Sequence, residues 1–149
     1  MDYFLKQFHQ LTVDELYGIL KLRAEVFVVE QDCAYQDLDG KDPLACHMFL
    51  KDGDEVVAVL RILPENVAFE DMAIGRVVVS EKYRGRGIAK KIMKNAIDYI
   101  TTDLGMDKIR ISGQAYLIRF YEDLGFRKVS DVYLEDGIDH FEFLYEVKK

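Results

Sequence analysis

Basic residues are scarce in this 149-residue chain: 20 lysines and arginines stand against 27 aspartates and glutamates, a formal charge of −7 with a pI near 5.0. Sequence-independent nucleic-acid binding needs a positive field to displace counterions from phosphates, so that class is excluded and a cationic small partner suits the surface better. The two prolines are Pro43 and Pro64, and there is no Pro/Gly/Ser-rich tract, low-complexity run or fixed-period repeat, which excludes linkers and solenoids. The two cysteines, Cys33 and Cys46, are too few for a disulfide framework, and with His47 and His140 they do not make the short-spaced ligand pairs of a zinc site, so no metal is expected. No apolar run approaches the ~18–20 residues of a membrane span, and no membrane partner is expected. The opening Met1-Asp2-Tyr3-Phe4-Leu5-Lys6 lacks a basic segment followed by an apolar stretch, so no export signal is expected. Reduced thiols in the cytoplasm are the expectation.

What is present is the balance of a soluble globular domain: 50% hydrophobic, 12% aromatic and 32% charged residues. At roughly 100–150 residues per domain, residues 1–149 are expected to fold as one unit that buries about two-thirds of its surface. A short strand at 3–8 precedes Thr12-Val13-Asp14-Glu15, a capping box opening a helix over about 13–30. Its apolar face carries Leu16, Ile19, Leu20, Val26 and Phe27, with Arg23 and Glu30 toward the far end. Residues 32–45 turn polar and read as a loop long enough to line a site. Strands follow at 47–51 and 55–63, joined around Asp52-Gly53-Asp54, and another at 75–80 through the β-branched Val77-Val78-Val79. Ile88, Ala89, Ile92, Met93, Ala96, Ile97 and Ile100 mark one helical face. A strand at 108–112, a short helix at 115–124 ending at Gly125, and a strand pair 126–134 with 140–147 around Asp136-Gly137 complete the chain. The order predicts an α/β (α+β) architecture, a mixed sheet with helices on both faces.

The stretch richest in chemistry runs from Val77 to Ala89, a strand that passes through Arg84-Gly85-Arg86-Gly87 directly into an amphipathic helix. Glycines permit close backbone approach, the helix start offers unpaired N–H donors and the positive end of its dipole, and Arg84 and Arg86 add charge, so a diphosphate fits. By spacing alone the segment fits equally well a tight connection with surface arginines. Neither a Gly-x-x-x-x-Gly-Lys-[Ser/Thr] loop nor a Gly-x-Gly-x-x-Gly fingerprint occurs.

Arg84-x-x-Gly87-x-Ala89 resembles the [Gln/Arg]-x-x-Gly-x-[Gly/Ala] signature of the GNAT superfamily of acyl-CoA N-acyltransferases, and Phe120-Tyr121-Glu122-Asp123-Leu124-Gly125-Phe126 is similar to the Phe-Tyr-x-x-x-Gly-Phe segment that closes the family's cofactor site. Phe27-Val28-Val29-Glu30-Gln31, Tyr35-Gln36-Asp37-Leu38-Asp39-Gly40, Gly75-Arg76-Val77, Gly113-Gln114-Ala115 and Glu135-Asp136-Gly137-Ile138-x-His140 look like the ElaA-type branch. The resemblance spans nearly the whole chain. It implies a mostly antiparallel sheet with a splayed central strand pair, acetyl-CoA as cosubstrate, and direct acetyl transfer to a primary amine of a small molecule or protein. It also implies that Val77, Val78, Val79, Arg84, Gly85, Arg86, Gly87, Ile88 and Ala89 hold the cofactor, that Tyr121 acts as general acid on the departing thiolate, and that chains pair as homodimers.

An ammonium must lose a proton before it attacks, so a base or a water chain is required near the amine. Glu30, His47 and His140 are the candidates. Each has a plainer reading: Glu30 as a solvated helix-end carboxylate or partner of Arg23, the histidines as structural residues at strand starts. Tyr35, Asp37 and Asp39 lie in the loop expected to wall the acceptor site, where turn chemistry accounts for them equally well. Arg76 either pairs with a site carboxylate or braces the sheet. Two further readings stand beside the enzyme: a non-catalytic acyl-CoA sensor, and, from Leu22-Arg23-x-x-Val26-Phe27, an acyl-homoserine-lactone-synthase-like acyltransferase, for which the chain is short.

Overall fold

The structure is a computed structural model and describes residues 1–148. Strand β1 (Asp2–Gln7) leads to helix α1 (Val13–Arg23), whose start is the expected capping box: Glu15 N–H donates to Thr12 Oγ1 at 3.1 Å and Thr12 N–H to Glu15 Oε1 at 2.9 Å. The helix does not continue regularly to residue 30. Over Ala24–Glu30 it widens into π-winding, with Gln31 N–H reaching Val26 O and Cys33 N–H reaching Val28 O, five residues back. Strands β2 (Cys46–Asp52), β3 (Glu55–Leu63) and β4 (Met72–Val79) follow, then α2 (Ile88–Asp98), β5 (Lys108–Gln114), α3 (Ile118–Asp123), β6 (Arg127–Lys128), β7 (Tyr133–Glu135) and β8 (Ile138–Glu146). The expected strand over 126–134 is thus two short pieces, both paired to β8, near its end and near its start.

The eight strands form one sheet in the order β1-β2-β3-β4-β5-β8-β6, with β7 also on β8. All pairings are antiparallel except β4 with β5, and that exception positions the site. The two strands pair only at Met72 with Ile109 and Ala73 with Arg110, then diverge. Between Val59 and Arg61 the β3–β4 register shifts by one residue, so two residues of β4, Arg76 and Val77, face Leu60 alone. Arg76 takes φ +53, the left-handed conformation a bulge residue adopts.

Helices cover both faces, because the strands alternate their side chains. Ile19, Leu22 and Val26 pack on Phe49, Val56, Val59 and Val78. On the other face Ile88, Ile92, Met93, Ala96, Ile97 and Ile100 join Leu50, Leu60, Ile74, Ile111 and Phe143 in the larger cluster. Both cysteines are free thiols.

Candidate active site

Where β4 and β5 part, a cavity of about 630 Å³ opens between them, bounded by the π-winding after α1, the start of α2, α3 and the β7–β8 turn. At the α2 end lies the glycine turn. Gly85 and Gly87 take φ +78 and +74, and a Cβ at either would meet nothing within 4 Å, so glycine serves the backbone conformation rather than space. No side chain caps α2, and its first main-chain bond is Lys91 N–H to Gly87 O, leaving the amides of Ile88, Ala89 and Lys90 free to donate. These donors, the helix dipole and the exposed Lys90 ammonium on the cavity wall make an anion cradle. Lys90 lies outside the motif at 84–89, and its place in the first turn of α2 is the only signal in the sequence that points to it.

The arginines behave differently from expectation. Arg84 lines the cavity, but its guanidinium makes a two-pronged pair with Glu30 at 2.8 and 3.0 Å and donates to Val79 O at 3.0 Å. Arg86 lies over the Tyr83 ring at 5.1 Å, with Nη2 3.5 Å from Lys82 O, and does not line the cavity. Glu30 lines the cavity as an ion-pair partner rather than an unpaired carboxylate.

Val77, Val78, Val79, Ile88 and Ala89 all line the cavity, and Tyr121 stands on the wall formed by α3. Its side chain is held between Phe143, at 4.9 Å between ring centres, and the edges of Phe120 and Phe126. Tyr121 is only 7% exposed, and its hydroxyl has no hydrogen-bond partner among the described residues. Burial first, and the neighbouring Tyr116 second, push the phenol up to about 12, so it keeps its proton at neutral pH. Gly113 of β5 makes this seat: a Cβ there would lie 2.5 Å from Tyr121 Cε2.

Three predicted residues belong elsewhere. His47 is buried, with Nε2 2.9 Å from Asp42 O and its imidazole pushed below its ordinary value chiefly by burial, and it does not reach the cavity. Asp37 and Asp39 do not line the cavity either, because arginines consume them. Arg23, 1% exposed, donates to Asp37 Oδ2 at 2.9 Å and to Asp42 Oδ1 at 2.7 Å; Arg61 donates to both Asp39 oxygens at 2.8 and 2.6 Å and to Asp42 Oδ1 at 3.0 Å. Arg61 Nε is buried without a hydrogen-bond partner among the described residues. Arg76, on the bulge, lies with Nε 2.7 Å from Asp37 Oδ1 and over the Tyr35 ring at 5.7 Å, while Tyr35 Oη donates to Asp37 Oδ1 at 2.9 Å. These contacts strap the 32–41 loop to the sheet and set Tyr35 and Arg76 on the cavity wall.

The opposite wall is the β7–β8 hairpin, turned at Asp136-Gly137 with φ +52 and +77 as a primed turn requires. His140 lines the cavity here, with Nδ1 2.7 Å from Ile138 O and Nε2 3.3 Å from Glu135 Oε2. Glu135, Asp136 and Ser112 share this wall, and the sequence does not mark them as site residues, since an Asp-Gly pair and its flanks are fully explained as a turn.

A splayed parallel pair inside an otherwise antiparallel sheet, an anion cradle at one end and an unpartnered phenol deep inside define an acyl-CoA N-acyltransferase fold. The acetyltransferase (GNAT) domain model matches residues 10–147, and the chain belongs to that family. It is similar to Protein ElaA of Escherichia coli, 41% identical over 140 residues that cover 93% of this chain and 92% of that one. Among solved structures it resembles an acyl-CoA N-acyltransferase from Pseudomonas aeruginosa, with a TM-score of 0.91, 38% identity and coverage of 97% and 98%. The crystal structure of E. coli ElaA follows at 0.90, 37%, and 98% and 100%.

Proposed function

We propose that this protein is an acetyl-CoA-dependent N-acetyltransferase that transfers the acetyl group directly to a primary amine. The observation that carries the reading is the parting of β4 from β5 after Ala73 and Arg110, because it leaves the β4 backbone edge unbonded along a cavity with the cradle at its mouth. The donor set fits the cosubstrate: orphan amides at the start of α2 and Lys90 for a diphosphate, an unpaired strand edge for an amide-bearing arm, and a phenol O–H for a leaving thiolate. When bound, acetyl-CoA supplies an activated thioester carbonyl. The chain's own residues do the rest. In this reading backbone amides near the bulge at Arg76 and Val77 polarise the carbonyl, the 32–41 loop and the hairpin wall the cavity beside it, and Tyr121 holds a proton ready for the sulfur. The unpartnered Tyr121 hydroxyl favours an enzyme over a sensor, since a pure binder needs no proton donor.

Thermal unfolding with acetyl-CoA, coenzyme A and ATP tests this. A ligand at about 100 times its Kd stabilises by about 2.7 kcal/mol, which for a chain of this size raises Tm by roughly 5–10 °C. Selective shifts with acetyl-CoA and coenzyme A are expected, and no shift at millimolar ligand would overturn the reading.

A further inference from the structure

We infer that Glu30 is a built-in competitor of the acyl donor: its carboxylate occupies the Arg84 fork that a diphosphate would take, and Arg84 changes partner when the cradle fills. The inference rests on the acetyl-CoA reading above and assigns the regulation of that same site. Arg84 donates through both terminal nitrogens, Nη1 to Glu30 Oε2 at 2.8 Å and Nη2 to Glu30 Oε1 at 3.0 Å. A guanidinium makes this two-pronged contact with a carboxylate or a phosphate alike, and one fork face serves one anion at a time. Nε donates to Val79 O at 3.0 Å, so the inner end of the guanidinium is anchored on β4 while Glu30 alone among the described residues holds the fork. Arg84 opens the glycine turn that leads to the free amides of Ile88, Ala89 and Lys90, and Arg84, Glu30 and Lys90 line one cavity. Glu30 is thus the anion that stands beside the donors a diphosphate needs.

Exposure separates this pair from the arginine clusters that brace the fold. Arg23 and Arg61 are 1% and 4% exposed, and parting them from their carboxylates would strand buried charges. The side chains of Arg84 and Glu30 are each 40% exposed, so water solvates both as they separate, and the closed form of such a pair outweighs the open one by a factor of about five at most. Orphan amides, a helix dipole and the Lys90 ammonium add to what the diphosphate gains from Arg84, whereas Glu30 has Arg84 alone. The contact also ties the cradle to the stretch that spans the cavity. Glu30 ends the π-winding whose Val26 and Phe27 line the cavity, and beyond it Gln31 Oε1 accepts from Gln114 Nε2 at 3.3 Å and Cys33 Sγ donates to Asp136 O at 3.4 Å. Competition lowers the affinity for donor and product alike, because only the open fork is competent to bind. Its use lies in release: Glu30 retakes the fork as coenzyme A leaves, a step that sets turnover in many enzymes.

Calorimetric titration with coenzyme A and a crystal structure of the wild-type complex test this. Glu30→Gln should bind coenzyme A about two- to fivefold more tightly than the wild type, and Arg84→Gln more weakly. A pair that merely braced the site would lose affinity with either change. In the wild-type complex an Arg84 terminal nitrogen should lie on a phosphate oxygen, with Glu30 beyond the ion-pair limit of about 4 Å. A complex that keeps both Glu30 bonds would overturn the inference, as would a Glu30→Gln affinity equal to or below that of the wild type, and either result leaves the acetyl-CoA reading intact. Absence of coenzyme A binding by the wild type would overturn both. The wild-type complex decides the matter where Glu30→Gln fails to fold.

Discussion

Gly113→Ala isolates the packing that holds Tyr121. Gly113 has no left-handed φ, so alanine costs nothing in backbone conformation and would ordinarily firm a strand. The new methyl would instead lie 2.5 Å from Tyr121 Cε2, 3.0 Å from Cζ and 3.1 Å from Phe143 Cε2, where carbon atoms rest at about 3.5–4.0 Å. The tyrosine ring has to retreat by about 1 Å, and Phe120, Phe126 and Phe143 leave it little room. Overpacking of this kind costs roughly 1–3 kcal/mol, or about 2–12 °C in Tm at this chain length. A 1 Å displacement of the hydroxyl should also lower kcat by about 100-fold. Tyr121→Phe retains every clashing carbon, so Gly113→Ala/Tyr121→Phe should show the full loss of Tm but little further loss of kcat beyond Tyr121→Phe. Calorimetry and thiol release on the four proteins measure both. A Gly113→Ala protein with native Tm and more than half the native kcat would refute the reasoning.

Asp42 is the hub of the buried charges, and Asp42→Ala leaves Arg23 and Arg61 without their shared carboxylate; a loss of about 3–5 kcal/mol in urea unfolding is expected, and one below about 1 kcal/mol would show that the arginines find other partners. Acid should weaken the fold in two stages. Burial keeps His47 neutral in the native chain, so the unfolded chain binds an extra proton below about pH 6.5 and stability falls from there. Arg61 holds Asp39 well below the usual carboxylate range, and at Asp42 Arg23 and Arg61 outweigh the opposing effect of burial. Their contribution is complete above about pH 4 and lost as the pH drops through the lowered values. Urea midpoints from pH 8 to 3 should show both declines, the first absent in His47→Gln; a flat wild-type profile between pH 7 and 5 would remove His47 from the account.

Features that depend on near neighbours are legible in the amino-acid sequence itself. Thr12 and Glu15 close their capping box within one turn, Gly85 and Gly87 supply the left-handed conformations of a strand-to-helix turn, and Asp136-Gly137 folds its hairpin, each by forces acting over a few residues. The apolar period of α2 likewise dictates which face it buries. These, with the motif at 84–89, carry the fold and the α2 end of the cavity. Tertiary contacts alone decide where charged side chains go. Arg84 meets Glu30 across 54 positions, Arg61 meets Asp39 across 22, and His47 turns under the loop to Asp42; a buried charge must find a partner wherever the chain happens to bring one. The bulge at Arg76 and the π-winding after Arg23 are likewise settled by register against neighbouring elements. So the cavity wall built from the β7–β8 hairpin, the strapped 32–41 loop and β5 is a property of the folded chain, while the strand, glycine turn and helix that make the cradle are written in one continuous stretch of sequence.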